Sequence, residues 1–593
     1  MTSTPHIFHI PVMGTGHSVD SPIRVAHLGI SSVISIVDDL LLERIRKHYS
    51  NEFNLPFNSI ARNAPDGRAV RITAYLDMVH EIVNKKFEQV KQASFHTNSE
   101  KDRYFGMLAS DSPLRTLWEN LPQFLNSNDY NAASQRLNEA LVPGSIDVNI
   151  MSKVDHLGWD STDMPLSSEF SDACAALRGF ANSVIESAVV LSAGFNPRLY
   201  GYMSNFPGFY RDATGNMKKK IVLKVSDFRS ALIQGKFLAK SGLEVSEYRI
   251  ESGLNCGGHA FYSDGKLLPS ILDEFKAKKS DLTAQLKPMI KAFYDKMGWE
   301  YPESVMTEVP RITVQGGIGI HGEQQRLLKE FEVDGTGWGS PFLVVPEATC
   351  VDDATMQLLI NATVDDFYLS KVSPLGIPFN NVRRTGSEKW TADRVGTDKP
   401  GSPCPKGFLK SNTEFTDKPI CTASTEYQIL KIAQINESDL PHSVKSQKLD
   451  DVHAKVCLCD HLGNGSLIKL GIIKEKQGPQ AICPGPNLAW FKGPYTLEQM
   501  TDHIYGRGES LVPQHRPHMF AKELEMNIDY YERLVAMSDP DDPKSQKYLA
   551  TVRENLEEGI RRIQELANTA PFSGENLESL KHVKLQSLQV EFA

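Results

Sequence analysis

The stretch Arg311-Ile-Thr-Val-Gln-Gly-Gly-Ile-Gly319 joins a run rich in β-branched residues to a glycine turn, and Glu323-Gln-Gln-Arg-Leu-Leu328 after it has helical composition. A second unit, Val333-Asp-Gly-Thr-Gly-Trp-Gly-Ser-Pro-Phe342, repeats the order of strand and glycine turn. Parallel strands need long crossover connections, which are usually helices. The recurrence of strand, turn and helix therefore predicts a parallel α/β fold.

Earlier parts of the chain contain six more strand-like stretches. They are His9-Ile-Pro-Val12, Ile30-Ser-Ser-Val-Ile-Ser-Ile36, Ile146-Asp-Val-Asn-Ile-Met151, Ser187-Ala-Val-Val-Leu-Ser192, Lys220-Ile-Val-Leu-Lys-Val225 and Glu247-Tyr-Arg-Ile-Glu-Ser252. Eight such units are the number that closes a TIM (β/α)8 barrel, which we assign to residues 1–385. Residues 58–143 show helical periodicity without a strand-like run, so we predict a helical insertion there and a smaller one near residues 265–300.

Beyond residue 385 the composition changes, and we predict a separate C-terminal region over residues 386–593. Residues 386–420 are rich in Gly, Ser, Thr, Pro and Lys, and five cysteines lie between Cys404 and Cys483. Two helical patterns follow, interrupted at Ser538-Asp-Pro-Asp-Asp-Pro543. Because proline breaks a helix interior, this end of the chain is predicted to be a helical hairpin.

Composition excludes several classes of protein. The chain has 593 residues, and its 64 Lys and Arg against 73 Asp and Glu give a net charge of −9, which argues against nucleic-acid binding. Apolar residues make up 40% and charged residues 23%, as in a globular protein. Neither a signal peptide nor a membrane span is recognisable, and eight cysteines are too few for a disulfide scaffold. We therefore expect a cytoplasmic protein.

The two glycine turns are candidate phosphate-binding loops. Glycines let backbone N–H groups approach a phosphate, and a helix N-terminus adds partial positive charge. In α/β barrels a phosphate is often held by the loops after strands seven and eight, where both turns fall. Glycine turns also end many strands for steric reasons, but two successive turns favour the phosphate interpretation.

A third glycine turn, Glu251-Ser-Gly-Leu-Asn-Cys-Gly-Gly-His259, follows the sixth strand. His259 is therefore expected at the carboxyl end of the barrel, where barrel enzymes carry out their chemistry. An imidazole titrates near neutrality and suits general acid or base catalysis, although a histidine that only stabilises a turn explains the position equally well.

Together these motifs resemble the nitronate monooxygenase family, formerly called 2-nitropropane dioxygenases, and the related flavin-dependent enoyl-acyl-carrier-protein reductases. The resemblance concerns the order of motifs over roughly residues 9–385. It is carried by Pro11-Val-Met-Gly14, Val148-Asn149, Cys256-Gly-Gly-His259, Gln315-Gly-Gly-Ile-Gly319, Trp338-Gly-Ser-Pro-Phe342, Pro346-Glu-Ala-Thr349 and Ser373-Pro-Leu-Gly-Ile-Pro-Phe-Asn-Asn-Val-Arg383.

The resemblance implies a soluble FMN-dependent oxidoreductase in which His259 is the catalytic acid or base. The implied cofactor-binding residues are Met13, Gly14, Asn149, Lys224, Gly257, Gly258, Gln315, Gly316, Gly317, Gly319, Gly337, Trp338, Gly339 and Ser340. The chain departs from the family at Asn255-Cys256, where Glu-Ala is usual, and at Ala260, where Gly is common. These changes alter the substrate pocket, so the family's substrate does not carry over.

Three functions remain open. The first is nitronate-type oxidation of a small molecule, and the second is an NAD(P)H-dependent reductase of double bonds in lipid or polyketide metabolism. The third is a non-catalytic scaffold whose metal-binding C-terminal region docks a partner, for example through the apolar face of residues 549–563. The sequence specifies neither the electron donor nor an electron-transfer partner. It is compatible with an oligomer.

The C-terminal cysteines are candidate metal ligands. Cys421, Cys457, Cys459 and Cys483, with Cys404 as a further candidate, lie in loop-like sequence with Pro or Gly near several of them. Thiolates on loops bind zinc or iron–sulfur clusters, whereas buried free cysteines also serve as small apolar side chains. A cluster near the barrel mouth would exchange single electrons with a flavin.

Overall fold

The computed structural model describes residues 4–124, 129–152, 155–158, 164–192, 194–260 and 264–581. Eight parallel strands form a closed barrel in which each strand pairs with its neighbours in chain order, and the last pairs with the first. The predicted TIM barrel is thereby confirmed. Its strands are β1 (Phe8–Ile10), β2 (Ser31–Ser35), β3 (Ile146–Ile150), β4 (Ser187–Leu191), β5 (Lys219–Val225), β6 (Val245–Glu251), β7 (Arg311–Gln315) and β8 (Gly335–Gly337). A separate antiparallel hairpin consists of β9 (Phe367–Ser370) and β10 (Phe379–Val382).

Helices surround the barrel and continue through the C-terminal region. They are α1 (Ser21–Val25), α2 (Asp39–Glu52), α3 (Gly67–Gln92), α4 (Glu100–Gly106), α5 (Pro113–Asn120), α6 (Asp129–Glu139), α7 (Asp172–Asn182), α8 (Pro197–Met203), α9 (Phe228–Ala239), α10 (Leu268–Met297), α11 (His321–Lys329), α12 (Asp353–Asn361), α13 (Gly386–Ala392), α14 (Thr425–Glu437), α15 (His442–His453), α16 (Leu458–Lys469), α17 (Leu497–Ile504), α18 (Met519–Met537), α19 (Pro543–Ala567) and α20 (Glu578–Lys581). None of the helices in the described ranges is both long and apolar enough to cross a membrane.

The interior of the barrel has an apolar half and a polar half. Val33, Ala188, Val190 and Val222 form the apolar half. The polar half contains a buried ion pair on β6, in which Arg249 lies 2.7 Å from Glu247. Burial opposes ionisation of Glu247, but Arg249 outweighs it and brings the pKa to about 2. The barrel therefore keeps fixed charge in its interior.

The predicted insertion is helical, as expected. It contains α3 to α6, and α3 packs between the first barrel helices and α7. Arg71 of α3 donates to Asp39 of α2 at 2.7 Å, with both side chains buried. A second small core, which includes Phe87 and Tyr104, lies beneath α4 to α6. The insertion thus extends the barrel's helical layer.

The end of the chain forms the predicted hairpin of α18 and α19. Its apolar face does not remain available for a partner, because α19 packs on α10 and α18. Leu549, Val552 and Leu556 are almost fully buried and belong to the main core, together with residues from as far apart as Phe8 and Leu580. Much of the C-terminal region therefore completes the core of the barrel.

Candidate cofactor and active site

A polar array lies at the carboxyl ends of strands β5 to β7. Lys224 Nζ is 2.7 Å from a Glu251 carboxylate oxygen, and Gln315 Nε2 donates to the other oxygen at 2.7 Å. The array forms because Glu251 and Gln315 are direct neighbours in the β6–β7 register and alternate residues face the barrel interior. Asn149 of β3 is buried and accepts a hydrogen bond from Ser192 Oγ at 3.3 Å. Lys224, Glu251 and Gln315 thus form one polar array on three neighbouring strands, and Asn149 adds a buried amide on β3 of the same barrel.

The Gln315 amide also faces His9, which lies deeper in the barrel. Gln315 Oε1 makes no hydrogen bond of ordinary length among the described residues, but the His9 ring is within its reach. Burial, assisted by Arg249, lowers the pKa of His9 to about 3. At the mouth above, a Cβ added to Gly258 would meet nothing within 4 Å.

The two predicted phosphate loops lie side by side at the ends of β7 and β8, but protein atoms cover much of them. Gly316 and Gly317 have φ values of +95° and +80°, a region that favours glycine. A Cβ on Gly317 would lie 2.3 Å from Leu254, and one on Gly339 would lie 2.6 Å from the Cβ of Cys256. The loop after β6 therefore packs directly onto both glycine turns.

The C-terminal region also reaches these loops. Gly485 N–H donates to Ser340 Oγ at 2.7 Å, and Ser340 Oγ donates to the Cys256 carbonyl at 3.1 Å. A Cβ on Gly257 would lie 1.8 Å from the Cys483 carbonyl oxygen. Gly257 and Ser340, which the resemblance assigned to the cofactor, thus fix the segment 483–485 over the barrel mouth.

Two further predicted cofactor residues have other uses in the structure. Gly319 N–H donates to Glu323 Oε2 at 2.8 Å, so a carboxylate of the chain already lies at the start of α11. Trp338 Nε1 donates to Gln324 of α11 at 2.8 Å, and its side chain therefore faces the helical layer. Both residues thus have a partner within the protein, and their roles in cofactor binding stay predictions.

The remaining predicted residues surround the mouth. Met13 is buried, and its N–H donates to Ser18 Oγ at 2.9 Å. Gly14 has φ +57° and lies beside Cys483, whose sulfur would be 3.6 Å from an added Cβ. Gly337 packs against Gln315 and His9. The turn after β1 and the loop after β8 thus border the polar array from its other side.

His259 lies in a loop that the β9–β10 hairpin holds in place. Its Nε2 is 2.7 Å from Ser373 Oγ, and its ring contacts Phe379 edge to face with centroids 5.1 Å apart. Ser373 Oγ also accepts from Leu375 N–H at 3.2 Å, which fixes the position of the hydroxyl. The hydroxyl can donate to His259 Nε2 or accept from it, so this contact orients the ring in either tautomer.

Asn255 connects the turns of this loop. Its Oδ1 accepts hydrogen bonds from Gly257 N–H at 2.8 Å and from Asn380 Nδ2 at 3.0 Å. Its Nδ2 donates to the His259 carbonyl at 3.1 Å. Asn255 also has φ +31°, a left-handed conformation that Asn tolerates better than most residues. The residue that departs from the family pattern is therefore the one that holds the His259 loop.

A cleft of about 750 Å³ opens beside this loop. Pro374, Leu375 and Gly376, which directly follow Ser373, form one wall, and α14 and α15 contribute to the others. Lys455 from the cleft donates to the Ser373 carbonyl at 3.1 Å. The cleft thus connects the protein surface with the backbone that carries the hydrogen-bond partner of His259.

The five C-terminal cysteines meet in one apolar cluster. Cys421, Cys457, Cys459 and Cys483 are buried members of it, and Cys404 packs against it. The Cys483 thiol also lies beside Gly14 at the barrel mouth. In the part of the chain that the structure describes, no three His, Cys, Asp or Glu side chains converge on a point where they could hold a metal ion. The zinc and iron–sulfur alternatives therefore gain no support from this cluster and stay predictions.

Comparisons with known proteins identify no family. No family model and no curated protein matches the chain. Similar solved structures include FabK from Thermotoga maritima, with 11% identity, 68% of this chain and 84% of that chain covered, and a TM-score of 0.31. The enoyl reductase domain of MlnA from the macrolactin biosynthesis cluster of Bacillus amyloliquefaciens is 13% identical, with 74% and 90% covered and a TM-score of 0.33. Nitroalkane oxidase from Streptomyces ansochromogenes is 12% identical, with 43% and 66% covered and a TM-score of 0.24. At such low values, the fold and the site rest on the strands and contacts described above.

Proposed function

We propose that this protein is an FMN-dependent oxidoreductase whose flavin ring binds over the polar array of Asn149, Lys224, Glu251 and Gln315. The observation that carries the proposal is the contact of Lys224 and Gln315 with the two carboxylate oxygens of Glu251 at the carboxyl ends of the barrel strands. Barrel enzymes place their chemistry at this end of the strands. The donors and acceptors fit a planar polar ring, and the open space beside Gly258 leaves room above them.

In this proposal the chain binds, orients and shields the reactants. FMN, when bound, supplies the redox chemistry. Lys224 offers positive charge to the ring, and the Gln315 amide borders it. Backbone N–H groups of the loops after β7 and β8 contribute to phosphate binding, apart from Gly319, whose N–H is bound to Glu323. The segment 483–485 closes the mouth and excludes water from the array.

His259 would transfer a substrate proton. Ser373 and Phe379 fix the position of its ring, so that the imidazole presents a defined edge. Substrate would reach this edge past the loop after Ser373, which borders the 750 Å³ cleft. A cleft of this volume accommodates a small organic molecule.

The first experiment measures the cofactor. Flavin released by heat from the purified full-length protein, or from protein reconstituted with FMN, is quantified by fluorescence and chromatography, and we expect about one FMN per chain. Lys224→Met should lower FMN occupancy at least about tenfold, because a charge-assisted contact is worth roughly 1.5–3 kcal/mol. Lys220→Met, on the exposed side of the same strand, is the matched control and should keep full occupancy. Protein that takes up no flavin would refute the proposal.

A second experiment addresses turnover and separates the two redox alternatives. His259→Ala should retain FMN and lose turnover by about 10²–10⁴-fold, the usual contribution of a general acid or base. Anaerobic bleaching of the flavin by NAD(P)H would indicate a reductase, and bleaching by a nitronate would indicate nitronate oxidation. If the variant turns over as fast as the native protein, the role of His259 is wrong.

A further inference from the structure

The cleft beside the loop after Ser373 is lined by one face of α15. Residues spaced i, i+3, i+4 and i+7 lie on the same side of a helix. The residues of α15 and its C-terminal extension that line the cleft follow this spacing, and they are Lys448, Asp451, Val452 and Lys455. Two ammonium groups of one helix face therefore border the same cavity.

Neither of these two lysines has a carboxylate within ion-pair distance in the described ranges. Lys448 makes no hydrogen bond there either. Lys455 Nζ donates to the carbonyls of Lys371 at 2.7 Å and Ser373 at 3.1 Å, which are uncharged acceptors. The carboxylate of Asp451 lies 2.8 Å from Lys371 Nζ and is thereby paired. The cleft thus has positive charge that the surrounding residues do not neutralise.

The cost of this charge is greatest at Lys455. Its side chain is partly buried. Burial lowers the pKa of Lys455, and Asp451 offsets only part of this effect. By contrast, Lys431 of α14 also lines the cleft but lies 2.6 Å from Glu414. Because a partly buried cation is most stable beside an anion, Lys455 is the position in the cleft where a bound anion would gain most.

The cleft also has an apolar lining. Leu375 follows Ser373 by two residues, Ile435 lies on α14, and Leu440 lies in the connection between α14 and α15. Ile435 and Val452 are buried, whereas Leu440 is 38% exposed. An occupant with an apolar part would remove the Leu440 side chain from water, which favours binding.

We propose that this cleft binds an organic carboxylate, with its anionic group on Lys455 and its apolar part against Leu375 and Leu440. An ammonium group has three N–H donors, and Lys455 uses two of them on carbonyls, so one remains for the ligand. Lys448 adds a second positive charge on the same wall. The volume of about 750 Å³ accommodates a small organic molecule.

The bound carboxylate would lie against the segment that positions His259. Ser373 accepts from Lys455 through its carbonyl, and its hydroxyl lies 2.7 Å from His259 Nε2. The use of the carboxylate as a substrate rests on the proposed oxidoreductase function. Its binding does not, because none of the residues that line the cleft belongs to the polar array of the barrel.

The test is a calorimetric titration of the full-length protein with sodium octanoate. We expect about one octanoate per chain with a Kd below about 1 mM. 1-Octanol has the chain without the charge and inorganic phosphate has charge without the chain, so each should bind at least about tenfold more weakly. Octanoate should also slow amide hydrogen exchange in peptides covering residues 371–378 and 442–455, which locates the site without a substitution.

Substitutions then test the lysines. Lys455→Met should weaken octanoate binding at least about tenfold, and Lys448→Met should weaken it several-fold, because each removes a positive charge from the cleft. Lys445→Met is the matched control and should bind as the native protein does. Lys445 lies on the same helix outside the cleft, and its Nζ donates to the Asn436 carbonyl at 2.8 Å.

The outcomes separate this proposal from the oxidoreductase proposal, since FMN is quantified in the same samples. Octanoate bound without FMN supports the cleft and refutes the flavin. FMN without octanoate binding below about 1 mM overturns the cleft and leaves the flavin proposal intact. Equal binding of 1-octanol or of phosphate, or unchanged affinity in Lys455→Met, also overturns the cleft. If Lys455→Met loses circular dichroism, Lys448→Met and the exchange protection of the native protein decide the matter.

Discussion

Removal of the Arg516 charge should loosen the loop that follows β7. Arg516 donates to Glu323 Oε1 and to the Gly317 carbonyl, each at 2.7 Å, and to Asn487 Oδ1 at 3.0 Å. The Arg516 and Glu323 side chains are only 5% and 1% exposed. Burial alone would raise the pKa of Glu323, but Arg516 reverses this effect and keeps the carboxylate ionised. Arg516→Met therefore leaves a buried charge without its partner.

The expected loss follows from this burial. Breaking a buried ion pair by removing one partner costs about 3–5 kcal/mol. If the loop opens locally, that loss accelerates amide exchange by roughly 150- to 5,000-fold, since each 1.4 kcal/mol is a factor of ten. Hydrogen–deuterium exchange by mass spectrometry should show the acceleration in peptides covering residues 315–325 and 511–520.

Glu323→Gln and the double variant complete a thermodynamic cycle. The double variant removes both charges, so it should be less destabilised than the sum of the two single variants. Acceleration of less than about tenfold in Arg516→Met, or strictly additive effects in the cycle, would refute the argument that this pair holds the loop.

Further predictions concern the mouth, the His259 loop and acid stability. Gly257→Ala should displace the segment 483–485 and speed amide hydrogen exchange there, because the added Cβ would lie 1.8 Å from the Cys483 carbonyl oxygen and Gly257 has φ +119°. Gly258→Ala is the control: Gly258 also has positive φ, but an added Cβ meets nothing within 4 Å, so the exchange should speed up far less. Ser373→Ala should leave FMN occupancy unchanged, lower kcat several-fold and shift the ¹⁵N signal of His259 Nε2, and an unchanged signal would contradict the assigned hydrogen bond. Burial opposes ionisation of Glu575, but His518 and Arg326 hold its pKa at about 2. Ionised Glu575 therefore stabilises the fold fully above pH 4.5, its pKa in the unfolded chain, and this stabilisation is lost as the pH falls toward 2. Glu575→Gln should thus make the free energy of unfolding less dependent on pH between these two values.

The barrel could be predicted from the sequence because the residue patterns that indicate its strands and turns are local. Each strand is a short run of β-branched residues followed by a turn. Eight such runs, each separated by enough chain for a helical crossover, are typical of a closed barrel. The insertion and the terminal hairpin were predictable for the same reason, since helical periodicity and Pro543 act over a few residues. Gly316 and Gly317 were selected as phosphate-loop glycines, a role that stays a prediction, and their positive φ values show that the backbone there favours glycine.

The contacts that define the site could not be predicted from the sequence, because they join residues that are far apart in it. Ser373 and Asn380 bind the His259 loop across more than a hundred residues, and Arg516 reaches Gly317 from almost two hundred residues away. The sequence showed Asn255 only as a departure from the motif of the resembled family. Its structural role follows from the three hydrogen bonds of its side-chain amide, which the sequence did not predict. Nothing in the local sequence of Arg516 indicates that it faces a glycine loop.

Sequence by itself determined the barrel, the order of its strands and the presence of chemically capable residues at its carboxyl end, since periodicity and turn composition specify backbone conformation locally. Only the tertiary structure decided that the C-terminal cysteines meet in one apolar cluster, and that the segment 483–485 covers the barrel mouth. Such choices depend on which side chains fill the space between distant segments, and close packing of the whole chain settles that competition.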